Sequence, residues 1–270
     1  MPLFEELGFH WDRSREPGCV PVVGVERACF RFKRMLPEFV WDASVLEGNP
    51  FTYPEVKTLL DGVTVGGRKV ADQEQILNLA DSSKRLLEMV RSGSFALDHS
   101  TFCTLHALVA RNEALEWGHF RGEGEEKHFW PKVALGEQGS YAPPPTEPGG
   151  ANLVDIFERG IAALAAEVPD PFERARAVFL FGALQQFFFD GNKRTSRMLM
   201  NGVLLSAGID AISVPAARAL DFNAAMVRFY ARRDGTEMMD FLVDCHPEVE
   251  VIRRAQASGE CRPGSSMTMR

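Results

Sequence analysis

Between Val178 and Phe189 the chain is apolar on every side of a helical wheel, interrupted only by Gly182, Gln185 and Gln186, and it then stops at Asp190-Gly191-Asn192. A helix with no polar face has to lie in the middle of a fold. It is too short to cross a bilayer, which needs about 20 apolar residues. The sequence therefore predicts a central buried helix opening at Pro171, where proline suits a first turn. A tight turn follows, and a second helix runs from about Arg194 to just before Gly208. Whatever this chain does, its other elements have to wrap that pair.

The remaining segments read as helices. Val25, Cys29, Phe32, Leu36, Phe39 and Val40 recur at spacings of three and four. Pro37 inside the run predicts two helices, the second ending at Glu47 before Gly48 and Pro50. Thr52 and Glu55 form a capping box for a short helix through Leu60. A long helix capped by Asp72 is expected to end near Gly93, and another to cover about Asp98–Trp117. From Gly118 to Ala142 the pattern changes, and Lys132–Ala142 reads as a β-hairpin turning at Gly136–Gly139. Helices over Ala151–Val168 and one or two within 216–244 complete the list. The tail from Pro247 is expected to fray. The fold class is thus all-α with one small hairpin. The expected organisation is an N-terminal helical region over 1–95, a core over 96–245 and a tail over 246–270.

Composition excludes several classes. Thirty basic against 37 acidic residues give a net charge of −7, the wrong sign for a DNA- or RNA-binding surface. The five cysteines are scattered, with no CxxC pair, as in a reduced cytoplasmic protein without a disulfide framework. The first eighteen residues carry acids and no apolar run. Neither a signal peptide nor a membrane span is expected.

The turn carries the chemistry. Where a helix opens after Asp190-Gly191-Asn192, the amides of Gly191–Thr195 and the positive helix end suit an anion. Gly191 and Asn192 tolerate the left-handed backbone of a phosphate nest. Arg194 and Arg197, three apart, share a helix face and present forked donors. Asp190 beside phosphate is a natural magnesium ligand.

These residues, Phe188-x-Asp190-Gly191-Asn192-Lys193-Arg194-x-x-Arg197, resemble the signature of the Fic (Fido) family. So do Gly118-x-Phe120-Arg121, the hairpin ending in Tyr141-x-Pro143-Pro144, and Ser44-x-x-Glu47-Gly48-Asn49. The resemblance covers about 40–245. It implies a Fic-fold helical bundle with a β-hairpin flap and an N-terminal helical extension, and the transfer of AMP from Mg-ATP to a protein hydroxyl. Asp190 would hold Mg²⁺. Gly191, Asn192, Lys193 and Arg194 would bind phosphate. Arg197 would take the γ-phosphate or pair with Glu47 as the inhibitory glutamate of a helix over about 37–47. The flap residues Lys132, Val133, Ala134, Leu135 and Gly136 would hold a target protein by strand addition.

Three positions depart from the family pattern. Gln186 stands where the catalytic histidine belongs, and a carboxamide has no comparable basicity. It is either a buried polar residue bonded to backbone or a group that orients nucleotide or target. His99, His106, His119 and His128 are remote in sequence, with His119 or His128 the replacements nearest the flap. Lys193 is a glycine in many relatives, and a lysine both in a phosphoryl-transferring branch and in ordinary members. Ala43 takes the place of the Ser or Thr that precedes the inhibitory glutamate by four residues, with Ser44 one position off. Three readings stay open: a nucleotide binder with weak or absent transfer, an active nucleotidyl- or phosphotransferase using another base or substrate, and a protein acting by contact alone.

Overall fold

The computed structural model describes residues 3–258 and 267–268. Among them are twelve α-helices: α1 (Leu3–Leu7), α2 (Val25–Arg34), α3 (Leu36–Val45), α4 (Tyr53–Leu60), α5 (Val70–Arg91), α6 (His99–Val109), α7 (Ala151–Glu167), α8 (Pro171–Gln185), α9 (Asn192–Ser206), α10 (Ala219–Arg232), α11 (Thr236–Asp244) and α12 (Val249–Ser258). The hairpin is β2 (Val133–Ala134) with β3 (Ser140–Tyr141), antiparallel, pairing Val133 with Tyr141 and Ala134 with Ser140. A second two-residue pair, β1 (Pro21–Val22) and β4 (Met267–Thr268), is parallel. The fold is all-α, as the periodicity predicts.

Helix α8 is the centre. Phe172 and every residue from Ala175 to Gln185 are buried, as expected of a helix with no polar face. Its start follows the sequence signals: Pro171 occupies the first turn, and the Asp170 side chain accepts from the Glu173 amide at 2.7 Å. Helix α9 packs antiparallel against it, and Gly182 sets how closely. A Cβ added there would lie 2.2 Å from Ser196 Oγ. Helices α5, α6 and α7 close the other sides, and the aromatic rings of Phe102, Phe120, Phe157, Phe187 and Phe188 interlock edge-on and stacked beneath the turn between α8 and α9.

Several boundaries differ from expectation. The break between α2 and α3 falls at Met35, because Pro37 belongs in the first turn of the new helix, where its missing N–H costs nothing. Helix α5 opens at Val70, so Asp72 lies in its first turn rather than capping it. Helix α6 stops at Val109 instead of Trp117, and the loop after it passes through a left-handed Asn112 (φ 63°). The segment expected to fray from Pro247 is helical through Ser258, with Ile252 and Ala255 buried. The remainder of that tail reading falls outside the described residues, apart from β4. Cys29, Cys103 and Cys245 are buried free thiols. Cys19 departs from the reading of a chain without disulfides: it is disulfide-bonded.

Candidate functional site

The turn between α8 and α9 is built by the side chains around it. Helix α8 ends at Gln185, and Gln186 takes a left-handed backbone (φ 50°) that throws the chain out of helix. The next two residues, Phe187 and Phe188, point into the aromatic core. Asn192 then staples the loop: its Oδ1 accepts from the Phe188 amide at 2.9 Å, and its Nδ2 donates to the Phe188 carbonyl at 2.8 Å and to Gln186 Oε1 at 3.1 Å. Asn192 is buried, so its side chain shapes the turn, while its backbone N–H heads α9.

The anion-binding geometry differs in detail from the sequence reading. The Gly191 amide is taken by Asp190 Oδ1 at 2.6 Å, and the Thr195 amide by the Gly191 carbonyl at 2.9 Å. Those two are not outward donors. The amides of Asn192, Lys193 and Arg194, in the first turn of α9, have no carbonyl four residues back in the helix to bond. They make the positive end of α9.

Both arginines converge here, and both are almost wholly buried, at 3% (Arg194) and 7% (Arg197) exposure. Arg194 Nη1 donates to Glu113 Oε2 at 2.6 Å, and Nη2 lies 3.6 Å from Asp190 Oδ2. Arg197 Nη2 donates to Glu47 Oε1 at 3.4 Å, and Lys193 Nζ lies 3.9 Å from Glu47 Oε2. Arg194 Nε and Arg197 Nη1 are buried and have no acceptor among the described residues. Buried charged donors without acceptors are costly, and a bound anion would satisfy them. Burial pushes the Glu47 carboxyl up, but Lys193, Arg197 and Arg194 outweigh it and hold it below the usual carboxylate range. Burial pulls the Arg197 guanidinium down against Glu47, and it opposes the carboxylates that raise Arg194.

Asp190 is different. Its side chain is 63% exposed and stands at the mouth of this pocket. A solvated carboxylate beside unpartnered guanidinium donors matches the donor set of a hard divalent cation shared with phosphate oxygens.

Gln186 faces this turn from the end of α8. Its Nε2 donates to the Ala183 carbonyl at 2.6 Å and approaches Tyr230 Oη at 3.4 Å, while its Oε1 accepts from Asn192. Its backbone carbonyl accepts from Arg121 Nε at 2.6 Å. It is His106, and neither of the expected replacements, that reaches this turn, and from behind. Its ring stacks on Phe188 at 3.6 Å, its Nε2 donates to the Asp190 carbonyl at 3.0 Å, and its Nδ1 accepts from the Gly118 amide at 3.1 Å. Both nitrogens are committed, and burial pulls its pKa down to about 3. This imidazole positions the Asp190 carbonyl and has no lone pair to accept a substrate proton. His119 bonds Glu116 and His128 is exposed.

The flap flanks the site. Val133–Ala134 forms an edge strand of a two-stranded sheet, Lys132, Ala134 and Gly136 are exposed, and Leu135 is buried. Tyr141 stacks on Tyr230 at 5.4 Å, which ties the flap to the helix that touches Gln186. Sequence reasoning missed Glu113, His106, Arg121 and Tyr230 as parts of the site. Glu113 was hidden because α6 was extended over it. The Gly118-x-Phe120-Arg121 spacing was the signal that Arg121 belonged here.

The helical order, the flap and the turn at Asp190–Arg197 are those of the Fic helical fold. The chain's likeness to known proteins is distant, and no protein-family model matches it. The chain is 22% identical over 203 residues to a protein adenylyltransferase, fic-1, of Caenorhabditis briggsae, covering 72% of this chain and 37% of that protein. It is 23% identical over 211 residues to protein adenylyltransferase Fic of Drosophila melanogaster, covering 77% of this chain and 40% of that one. The chain thus spans about two fifths of these relatives' length. Among solved structures, a Fic domain containing signaling protein from Bacteroides thetaiotaomicron superposes with TM-score 0.66 at 16% identity over 97% of both chains. A Fic family protein from Desulfovibrio desulfuricans G20 gives 0.62 at 18% identity over 85% of this chain and 67% of that one.

Proposed function

We propose that this chain binds the phosphates of a nucleotide, ATP or another, at the head of α9, and that its transfer of AMP to a protein hydroxyl is weak or absent. Arg194, Arg197, Lys193 and the first-turn amides of Asn192–Arg194 grip the polyphosphate, and Gly191 gives the turn its left-handed step. Arg197 is released to the terminal phosphate when Glu47 moves aside. Asp190 would hold Mg²⁺, which would supply positive charge to offset that of the phosphates. The edge of Val133–Ala134 receives a target segment as an added strand. The kinship with protein adenylyltransferases supports ATP and a protein hydroxyl as the ligand classes.

The observation that carries the low activity is the state of Gln186. Its amide is bonded at both ends to Ala183 and Asn192, and His106 has both ring nitrogens engaged. Nothing at this position removes a proton from an incoming hydroxyl, and a general base is worth about 10²–10⁴-fold. The test is Gln186→His beside the unaltered protein, with labelled ATP, Mg²⁺ and autoadenylylation as readout. A gain of that size supports the reading. Ordinary transfer by the unaltered protein refutes it and favours the alternative, an active nucleotidyl- or phosphotransferase with a different base or substrate.

A further inference from the structure

Away from the nucleotide turn, α6 and the loop after Gly118 bring together a histidine, a cysteine and a glutamate. His99 opens α6 and Cys103 follows one turn later, so both face the same side. Glu123 reaches them from the loop. The three ligand atoms lie within 4.8 Å of one another. His99 Nε2 is 3.3 Å from Glu123 Oε2, and Cys103 Sγ is 3.5 Å from His99 Nε2.

We propose that His99, Cys103 and Glu123 bind a divalent transition-metal ion, zinc by ligand chemistry, with a fourth position open to solvent. The distances from His99 to the other two ligands fit. Tetrahedral zinc with bonds of about 2.05 Å to nitrogen, 2.3 Å to sulfur and 2.0 Å to oxygen places nitrogen and oxygen about 3.3 Å apart, and nitrogen and sulfur about 3.6 Å apart. An imidazole and a thiol select zinc or cobalt over magnesium or calcium, which prefer oxygen alone. This site is therefore chemically distinct from Asp190. The ligands are also braced. The Phe120 amide donates to Glu123 Oε2 at 2.6 Å. The Phe120 ring stands edge-on to His99 at 4.4 Å. An open pocket of about 660 Å³, lined by His99, Cys103, Thr104 and Gly118 among others, lies in front of them and supplies entry and room for the fourth ligand.

The loop that donates Glu123 also carries Arg121, which holds the Gln186 carbonyl, and Phe120, which stacks on Phe187 at 4.7 Å. A metal here clamps α6 to the segment that fixes the nucleotide turn from below.

The full chain, stripped by chelator and dialysed, is titrated with Co²⁺ as the probe. One equivalent is expected to bind with a thiolate-to-cobalt charge-transfer band and the intense visible bands of a four-coordinate ion, and Zn²⁺ displaces it. Cys103→Ser abolishes the charge-transfer band, and His99→Gln keeps that band but weakens binding by about tenfold or more. Far-UV circular dichroism checks that each variant is folded. Absence of the band in the unaltered protein overturns the proposal, as does its survival in Cys103→Ser. Should Cys103→Ser not fold, His99→Gln decides alone, because its side chain is only half-buried; unchanged cobalt affinity in that variant overturns the site.

Discussion

Removing the Glu47 carboxylate should destabilise the free protein and tighten its grip on ATP. Glu47 accepts from Arg197 Nη2 at 3.4 Å, and Arg197 Nη1 has no acceptor among the described residues. Taking one partner from a buried ion pair costs about 3–5 kcal/mol, because the remaining charge stays desolvated. The contact is single and long, and the Glu47 side chain is 17% exposed, which places Glu47→Ala near the lower end, about 3 kcal/mol. For a chain of this size that is a melting temperature lower by about 6–12 °C. Binding of a terminal phosphate to Arg197 in the unaltered protein has to break this pair first. In Glu47→Ala that cost is already spent, so the dissociation constant for ATP should fall by up to about 100-fold, at 1.4 kcal/mol per tenfold. Thermal denaturation with and without Mg-ATP, together with titration calorimetry, measures both. ATP should restore more stability to the variant than to the parent. If Glu47→Ala melts with the parent and binds ATP equally well, Glu47 does not occupy the phosphate position and the reasoning fails.

Three further outcomes follow from the same geometry. His106 and His246 are held neutral by burial, with pKa values lowered to about 3 and about 4. Depressed folded values mean stability that is complete above about pH 6.5 and lost as pH falls toward the folded values; by pH 5 each costs about 2 kcal/mol, so urea denaturation at pH 7 and pH 5 should differ by about 4 kcal/mol, less in His106→Phe. Gly182→Ala drives a methyl group to within 2.2 Å of Ser196 Oγ, and should cost about 1–3 kcal/mol by forcing α8 and α9 apart, with weaker ATP binding as the second readout. Arg194→Met strands the Glu113 carboxylate and removes a phosphate fork, so nucleotide affinity should disappear from calorimetry while the unaltered protein retains it.

The helical architecture was legible because it is written locally. The apolar run of α8, the capping box at Thr52 and Glu55, and the proline and glycine stops each act within a few residues. The convergence of Arg194 and Arg197 also follows from spacing alone. What escaped were partners brought by the fold from far along the chain: Glu113 on Arg194, Arg121 on the Gln186 carbonyl, His106 behind Phe188 and Tyr230 beside Gln186. Glu113 was concealed by apolar spacing that continues past Val109 as though the helix did. His106 sits in a stretch that reads as helix core, and no local pattern tells a packed imidazole from a poised one. The amide of Gly191 was expected to face outward, but the neighbouring Asp190 side chain intercepts it, a competition that short polar residues at turns routinely win.

The left-handed backbone at Gln186 has a consequence for descent. Such a conformation is held more readily by histidine than by most side chains, and the bond to the Ala183 carbonyl needs only a donor, which an imidazole N–H supplies as well as an amide. Glutamine and histidine codons differ in their third base alone. One base change would therefore place an imidazole here, with the left-handed backbone and the acceptor at Ala183 already provided.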